Sequence, residues 1–127
     1  MIEEQFNINI LSDDPTFCTS LASECNKFGF SLTFFEEEDI GNEKIIDSDM
    51  ISVNIIDLDI PDSNPYDIAK KLRITSNLPI FGVFNQFNKQ SQEKAKKSGY
   101  DLVFTKSMLI KSIKKIIIHV SNEKRNP

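Results

Sequence analysis

Apolar residues along the chain fall into short blocks separated by polar turn residues, and the spacing within blocks switches between two and about 3.6. Phe6, Ile8 and Ile10 alternate with Asn7 and Asn9, which predicts a strand over residues 6–11. Ser12-Asp13-Asp14-Pro15 breaks it, and Pro15 suits the opening turn of a helix, where its missing N–H costs nothing. Phe17, Leu21, Cys25 and Phe28 then recur at helical spacing until Gly29 stops the run. Ser31 to Phe35 reads as a second strand, and the acidic, weakly periodic stretch from Glu36 to Asp49 as a poor helix with loose loops. Ile51-Ser52-Val53-Asn54-Ile55-Ile56 is rich in β-branched residues and short for a helix, so it predicts an interior strand. Pro61 cannot donate to a sheet ladder, which leaves Asp57 where that strand opens into a loop.

The second half repeats the rhythm. A helix is expected over about residues 65–74 with Ile68, Ala69 and Leu72 inward, followed by a strand from Pro79 to Phe84. A polar, Lys-rich helix from about Lys89 to Ser98 is closed by Gly99. Asp101 to Phe104 predicts a fifth strand. Met108 to about Ser121 predicts a last helix, with Leu109, Ile113, Ile116, Ile117 and Val120 apolar. Strands that alternate with helices in this way argue for an α/β fold with a parallel sheet covered on both faces. The 127 residues fit a single domain over residues 1–121, with 122–127 as a frayed tail or the start of a linker.

Composition narrows the class. With 39% hydrophobic and 27% charged residues the chain is an ordinary globular one. Cys18 and Cys25 lie seven apart in the first helix, about 10 Å between Cα atoms, which suits burial better than a disulfide. A lone His119 and the lack of a CxxC pair leave no metal site of the histidine or cysteine kind. No run is long and apolar enough to span a membrane and no signal peptide is evident, so a cytoplasmic location is expected.

The net charge of −4 hides a strong polarity. Residues 1–67 carry 16 Asp or Glu against 2 Lys, a balance of −14, whereas residues 68–127 carry 3 acids against 13 Lys or Arg, a balance of +10. An acidic cluster near Asp57 favours a divalent cation; solvated surface of mixed charge is the plainer reading. The basic half lacks interleaved aromatics and a recognition helix, which argues against nucleic acid.

Three polar signals fall just past strand ends: Asp13-Asp14, Asp57 and Lys106. Right-handed βαβ connections bring such ends to one edge of a sheet, the edge where open α/β sheets bind ligands. Singly, each is also what an ordinary polar loop looks like. Two carboxylates and a lysine together form a phosphoryl-transfer set, with one carboxylate as nucleophile, a second helping to hold Mg²⁺, and an ammonium neutralising the transferred group.

On these residues the chain resembles the receiver domains of two-component response regulators. The matching stretches are Ile10-Leu11-Ser12-Asp13-Asp14-Pro15, Ile55-Ile56-Asp57-Leu58-Asp59-Ile60-Pro61 and Ser98-Gly99-Tyr100-Asp101-Leu102-Val103-Phe104-Thr105-Lys106. The resemblance covers nearly all of residues 6–120. It implies a flavodoxin-like five-stranded parallel sheet of order 2-1-3-4-5. It also implies that Asp57 is the phosphoacceptor, that Asp13, Asp57 and the Asp59 carbonyl are the protein ligands to Mg²⁺, and that Lys106 bridges to the phosphoryl group. The implied partners are a histidine kinase or phosphotransfer protein and a downstream protein docking on the last two helices. Lys94, Lys97, Lys111, Lys114 and Lys115 lie on those helices, so an acidic partner or a homodimer is expected there.

The chain departs from the family pattern in five places. Ser12 stands where the first of two acids is usual, with Asp14 following as a possible substitute. Phe84 replaces the Thr or Ser after the fourth strand, and is expected either to pack in the core or to roof the pocket. Val103 replaces the aromatic three residues before the lysine, and Asp62-Ser63-Asn64-Pro65 the glycine-bearing loop. Ser107 replaces the usual proline, for which a trans Lys106–Ser107 bond and a less rigidly aimed lysine are expected. Two functions follow: an atypical phosphorylatable receiver, or a pseudo-receiver that binds partners without phosphorylation. A small flavodoxin-like domain for a nucleotide or flavin is a third, disfavoured because no Gly-rich loop follows the first strand.

Overall fold

The computed structural model describes residues 6–41 and 51–125. Its strands are β1 (Phe6–Leu11), β2 (Ser31–Phe34), β3 (Ile51–Asp57), β4 (Ile80–Phe84) and β5 (Leu102–Thr105). Its α-helices are α1 (Pro15–Phe28), α2 (Pro65–Thr75), α3 (Lys89–Ser98) and α4 (Lys106–Arg125), and a 3₁₀ turn covers Glu37–Asp39. The strands are parallel and ordered β2-β1-β3-β4-β5. This is the flavodoxin-like sheet expected above. Of the weak helix expected between Glu36 and Asp49, the described part is the single 3₁₀ turn, and residues 42–50 lie outside the described residues.

Local chemistry explains where the elements stop. Asp14 caps α1, accepting from Phe17 N–H at 3.1 Å, with Pro15 in the first turn. Asn64 caps α2 and Asn88 caps α3 in the same manner. Gly29 (φ 73°) and Gly99 (φ 111°) end α1 and α3 in the left-handed region that an L side chain rarely enters. The last helix corrects the expected boundaries. It starts at Lys106, directly from β5, because the Thr105 hydroxyl accepts from Met108 N–H at 3.2 Å and stands in for a loop. It continues past Ser121 to Arg125.

Two cores flank the sheet. On one face Phe17, Leu21 and Cys25 of α1 and Leu109, Ile113 and Ile117 of α4 pack on Ile8, Ile10, Val53, Ile55, Phe81 and Val83. On the other, Ile68, Ala69 and Leu72 of α2 and Ala95 of α3 pack on Leu11, Ile56, Ile80 and Tyr100. Phe28, which shares the helical spacing of Phe17, Leu21 and Cys25, is 38% exposed. Cys25 is buried, and burial pushes its thiol up to about 11; Cys18 is half-buried and also raised, chiefly by desolvation. Because the thiolate is the reactive form, iodoacetamide on the folded protein at pH 8 is expected to modify Cys18 slowly and Cys25 only after unfolding. Mass mapping in which Cys25 is labelled first would contradict this packing.

The second face carries a buried polar ladder. Asn7 Nδ2 donates to Asn9 Oδ1 at 2.9 Å, Asn9 Nδ2 to Asn54 Oδ1 at 3.1 Å, and Thr33 Oγ1 to Asn7 Oδ1 at 3.0 Å. The alternation in β1 thus marks a polar face that is covered, not one open to water: Asn9 is 1% exposed and Asn54 is fully buried. The Ser52 hydroxyl makes no hydrogen bond to a described residue. A buried polar atom without a partner costs about 1–3 kcal/mol, so Ser52→Ala is expected to leave stability unchanged or to raise it. A clear fall in the urea midpoint would contradict that reading.

Candidate phosphoacceptor site

The register of the sheet places the site. Ile10 pairs with Ile55, and Ile55 with Phe81, so β1, β3 and β4 end together. Asp57 closes β3 at that edge and is 1% exposed. Lys106 follows β5, two strands away, and its ammonium reaches Asp57. Its side chain is 9% exposed.

Every oxygen of the Asp57 carboxylate is engaged. Oδ2 accepts the Ser12 hydroxyl at 2.6 Å and lies 3.0 Å from Lys106 Nζ, while Oδ1 accepts the Asp59 N–H at 2.9 Å. Lys106 Nζ is shared. It donates to Asp14 Oδ2 at 3.1 Å, lies 3.8 Å from Asp59 Oδ2, and sits 5.5 Å from the centre of the Phe17 ring. Asp59 in turn accepts the Asn85 N–H at 2.7 Å, which ties the loop after β3 to the loop after β4. Burial alone lowers the Lys106 ammonium's affinity for its proton, but Asp57 and Asp14 outweigh it and the net shift is upward. The Phe17 N–H first, then Lys106, hold the Asp14 carboxyl below its ordinary value. The Asp14 contribution to stability is therefore in place at neutral pH and fades as pH falls through that depressed value, below 3.8.

The sequence-predicted residues are thus brought together unevenly. Asp57, Asp59 and Lys106 meet. Asp13 is exposed and lines a cleft of about 280 Å³ with Ser12, Phe35, Glu36, Ile60 and Asp62. The acid that meets the lysine is Asp14. Lys106 is also aimed more firmly than expected. The Lys106–Ser107 bond is trans, as no cis peptide occurs among the described residues, yet the ammonium is pinned between carboxylates because the residue is the first of α4 and no loop separates it from β5. Phe84 is buried at 3% exposure with its ring edge-on to Phe87, 6.1 Å between centres. Val103, half-buried, packs against the α2–α3 core.

No protein-family model matches the sequence, and no curated protein matches it. Solved structures do. The receiver domain of the TMAO respiratory system response regulator TorR superposes with a TM-score of 0.73 at 19% identity, covering 91% of this chain and 98% of that one. The chain has the receiver-domain fold. A two-component response regulator from Clostridium difficile gives the same TM-score at 22% identity, over 91% of this chain and 97% of that one. The beryllofluoride-activated NtrC4 receiver domain dimer also gives 0.73, at 17% identity over 92% and 97%.

Within that receiver fold the residues expected to hold Mg²⁺ suit a hard cation in kind. Asp13, Asp57 and the Asp59 carbonyl offer oxygen alone, and Mg²⁺ needs only one or two carboxylates because it keeps several waters. Among the described residues no three His, Cys, Asp or Glu side chains are grouped to hold an ion. Nor, among them, is any helix long and apolar enough to cross a membrane.

Proposed function

We propose that this domain accepts a phosphoryl group on Asp57 from the phosphohistidine of a histidine kinase or phosphotransfer protein and passes on the change of state through protein contacts. The observation that carries the reading is the Lys106–Asp57 pair, 3.0 Å long and nearly closed to solvent, at the C-terminal edge of a receiver-type sheet. A carboxylate oxygen of Asp57 attacks phosphorus, the P–N bond breaks, and its electron pair leaves with the imidazole nitrogen, which takes up a proton. The acyl phosphate gains negative charge beside the ammonium of Lys106, already within 3.1 Å of two carboxylates. Ser12 O–H and Asp59 N–H fix the orientation of the attacking carboxylate. Asp13, Asp57 and the Asp59 carbonyl are the residues assigned to Mg²⁺, which when bound offsets the charge gathered on the transferred group.

Lys94, Lys97, Lys111, Lys114 and Lys115 are all exposed on α3 and α4, and form the face assigned to an acidic downstream partner or a second copy. Two free cysteines suit a cytoplasmic setting. A second reading, a phosphorylation-independent interaction module, is favoured by one observation: the Asp57 carboxylate is buried and already satisfied by three donors. Addition of beryllofluoride with millimolar Mg²⁺ separates them. The phosphoacceptor reading expects the amides of Asp13, Leu58 and Asp59 to shift, and a spectrum in which none moves supports the second reading.

A further inference from the structure

We infer that Asp14 is a positioning residue: by holding Lys106 it couples the state of Asp57 to the first turn of α1. The inference rests on the phosphoacceptor reading of Asp57. Four contacts join that turn to the site, one of them the Asp14 N–H donating to the Ser12 hydroxyl oxygen at 3.2 Å. Asp14 divides its carboxylate, with Oδ1 accepting from Phe17 N–H and Oδ2 from Lys106 Nζ, each at 3.1 Å. The Phe17 ring lies 5.5 Å from the same ammonium. Cys18 Sγ lies 3.9 Å from the carbonyl of Ser12, whose hydroxyl holds Asp57.

The ammonium is shared almost evenly, 3.0 Å from Asp57 and 3.1 Å from Asp14. Even sharing makes the position sensitive. Added negative charge on the Asp57 side draws the ammonium that way, at the expense of its bond to Asp14. Asp14 then loses the partner that aims Oδ2, which frees the carboxylate whose Oδ1 caps the Phe17 N–H, and the ammonium shifts relative to the Phe17 ring. Asp14 caps α1 and Lys106 is the first residue of α4, so one ammonium touches the starts of two helices that pack together in one core through Leu21, Cys25, Ile113 and Ile117. The bland account makes Asp14 a helix cap and nothing more. Its second carboxylate oxygen, spent on a lysine from the far edge of the sheet, is what that account leaves unexplained.

Asp14→Asn separates the two roles, because asparagine caps a helix as well as aspartate does but presents no carboxylate to the lysine. Asp14→Ser does the same with a side chain too short to reach, and stands in should the first variant fold poorly. Amide spectra of the full chain are taken with and without beryllofluoride and Mg²⁺. In the unaltered protein the amides of Thr16, Phe17 and Cys18 are expected to shift along with Leu58 and Asp59. In Asp14→Asn the α1 shifts are lost while those of Leu58 and Asp59 persist. Equal α1 shifts in both proteins overturn the inference, as do still α1 amides in the unaltered protein when Leu58 and Asp59 move; in those cases the phosphoacceptor reading stands. Stillness everywhere in the unaltered protein removes that reading and this inference with it.

Discussion

Exchanging Lys106 for methionine is expected to lower the unfolding free energy by about 3 kcal/mol, near the lower end of what removing one partner from a buried ion pair costs. The loss falls on Asp57, which is 1% exposed and, among the described residues, keeps the Ser12 hydroxyl and the Asp59 N–H as donors. Those two hydrogen bonds are why the lower end applies. Methionine retains an apolar stem of similar length, so the change reads charge more than volume. The pair Lys106→Met with Asp57→Asn is expected to recover part of the loss, since a neutral amide tolerates the site better than an orphaned carboxylate. Urea unfolding of the two singles and the double supplies the cycle, and additive losses would show that the two side chains do not interact. The lysine's proton affinity is raised in the fold. Its contribution is therefore complete at neutral pH and is lost as pH rises through the raised value, above 10.5.

Asp57→Asn is expected to abolish phosphoryl uptake outright while leaving the fold in place. An amide oxygen is a poor nucleophile and carries no charge, but it has nearly the shape of the carboxylate and can still accept from Ser12 or Asp59. Asp14→Asn, by contrast, is expected to leave Asp57 able to accept the phosphoryl group, because the Asp14 side chain reaches the site through Lys106 and its backbone N–H, which holds the Ser12 hydroxyl, is kept. Intact-mass measurement after exposure to a small phosphodonor and Mg²⁺ distinguishes the three proteins. Uptake by Asp57→Asn would show that another residue is the acceptor.

The elements with chemical punctuation were legible in the sequence. Asp14-Pro15 and Gly29 bound α1, and Asn88 and Gly99 bound α3, because caps and left-handed glycines act locally and need no tertiary context. The β5–α4 junction carries no such mark. Thr105 serves as both the last strand residue and the cap, so the helix starts two residues earlier than periodicity alone suggested. The ladder of Asn7, Asn9 and Asn54 was legible as alternation, but its burial depends on what covers the sheet. At the site, the positions of Asp57 and Lys106 follow from strand ends and topology. Which of Ser12, Asp13 and Asp14 turns inward is set by the backbone between β1 and α1, where neighbouring side chains point in different directions. Ser12 looked like a lost acid. In the fold its hydroxyl takes a 2.6 Å hydrogen bond to the acceptor carboxylate.

Covalent mapping decides whether Asp57 receives a phosphoryl group. The full chain is incubated with phosphoramidate and Mg²⁺, the acyl phosphate is reduced with borohydride, and the peptides are sequenced by mass. Reduction at residue 57, absent when either phosphoramidate or Mg²⁺ is left out, is the predicted result. An unmodified Asp57 in a protein that is folded and saturated with both reagents would contradict the account.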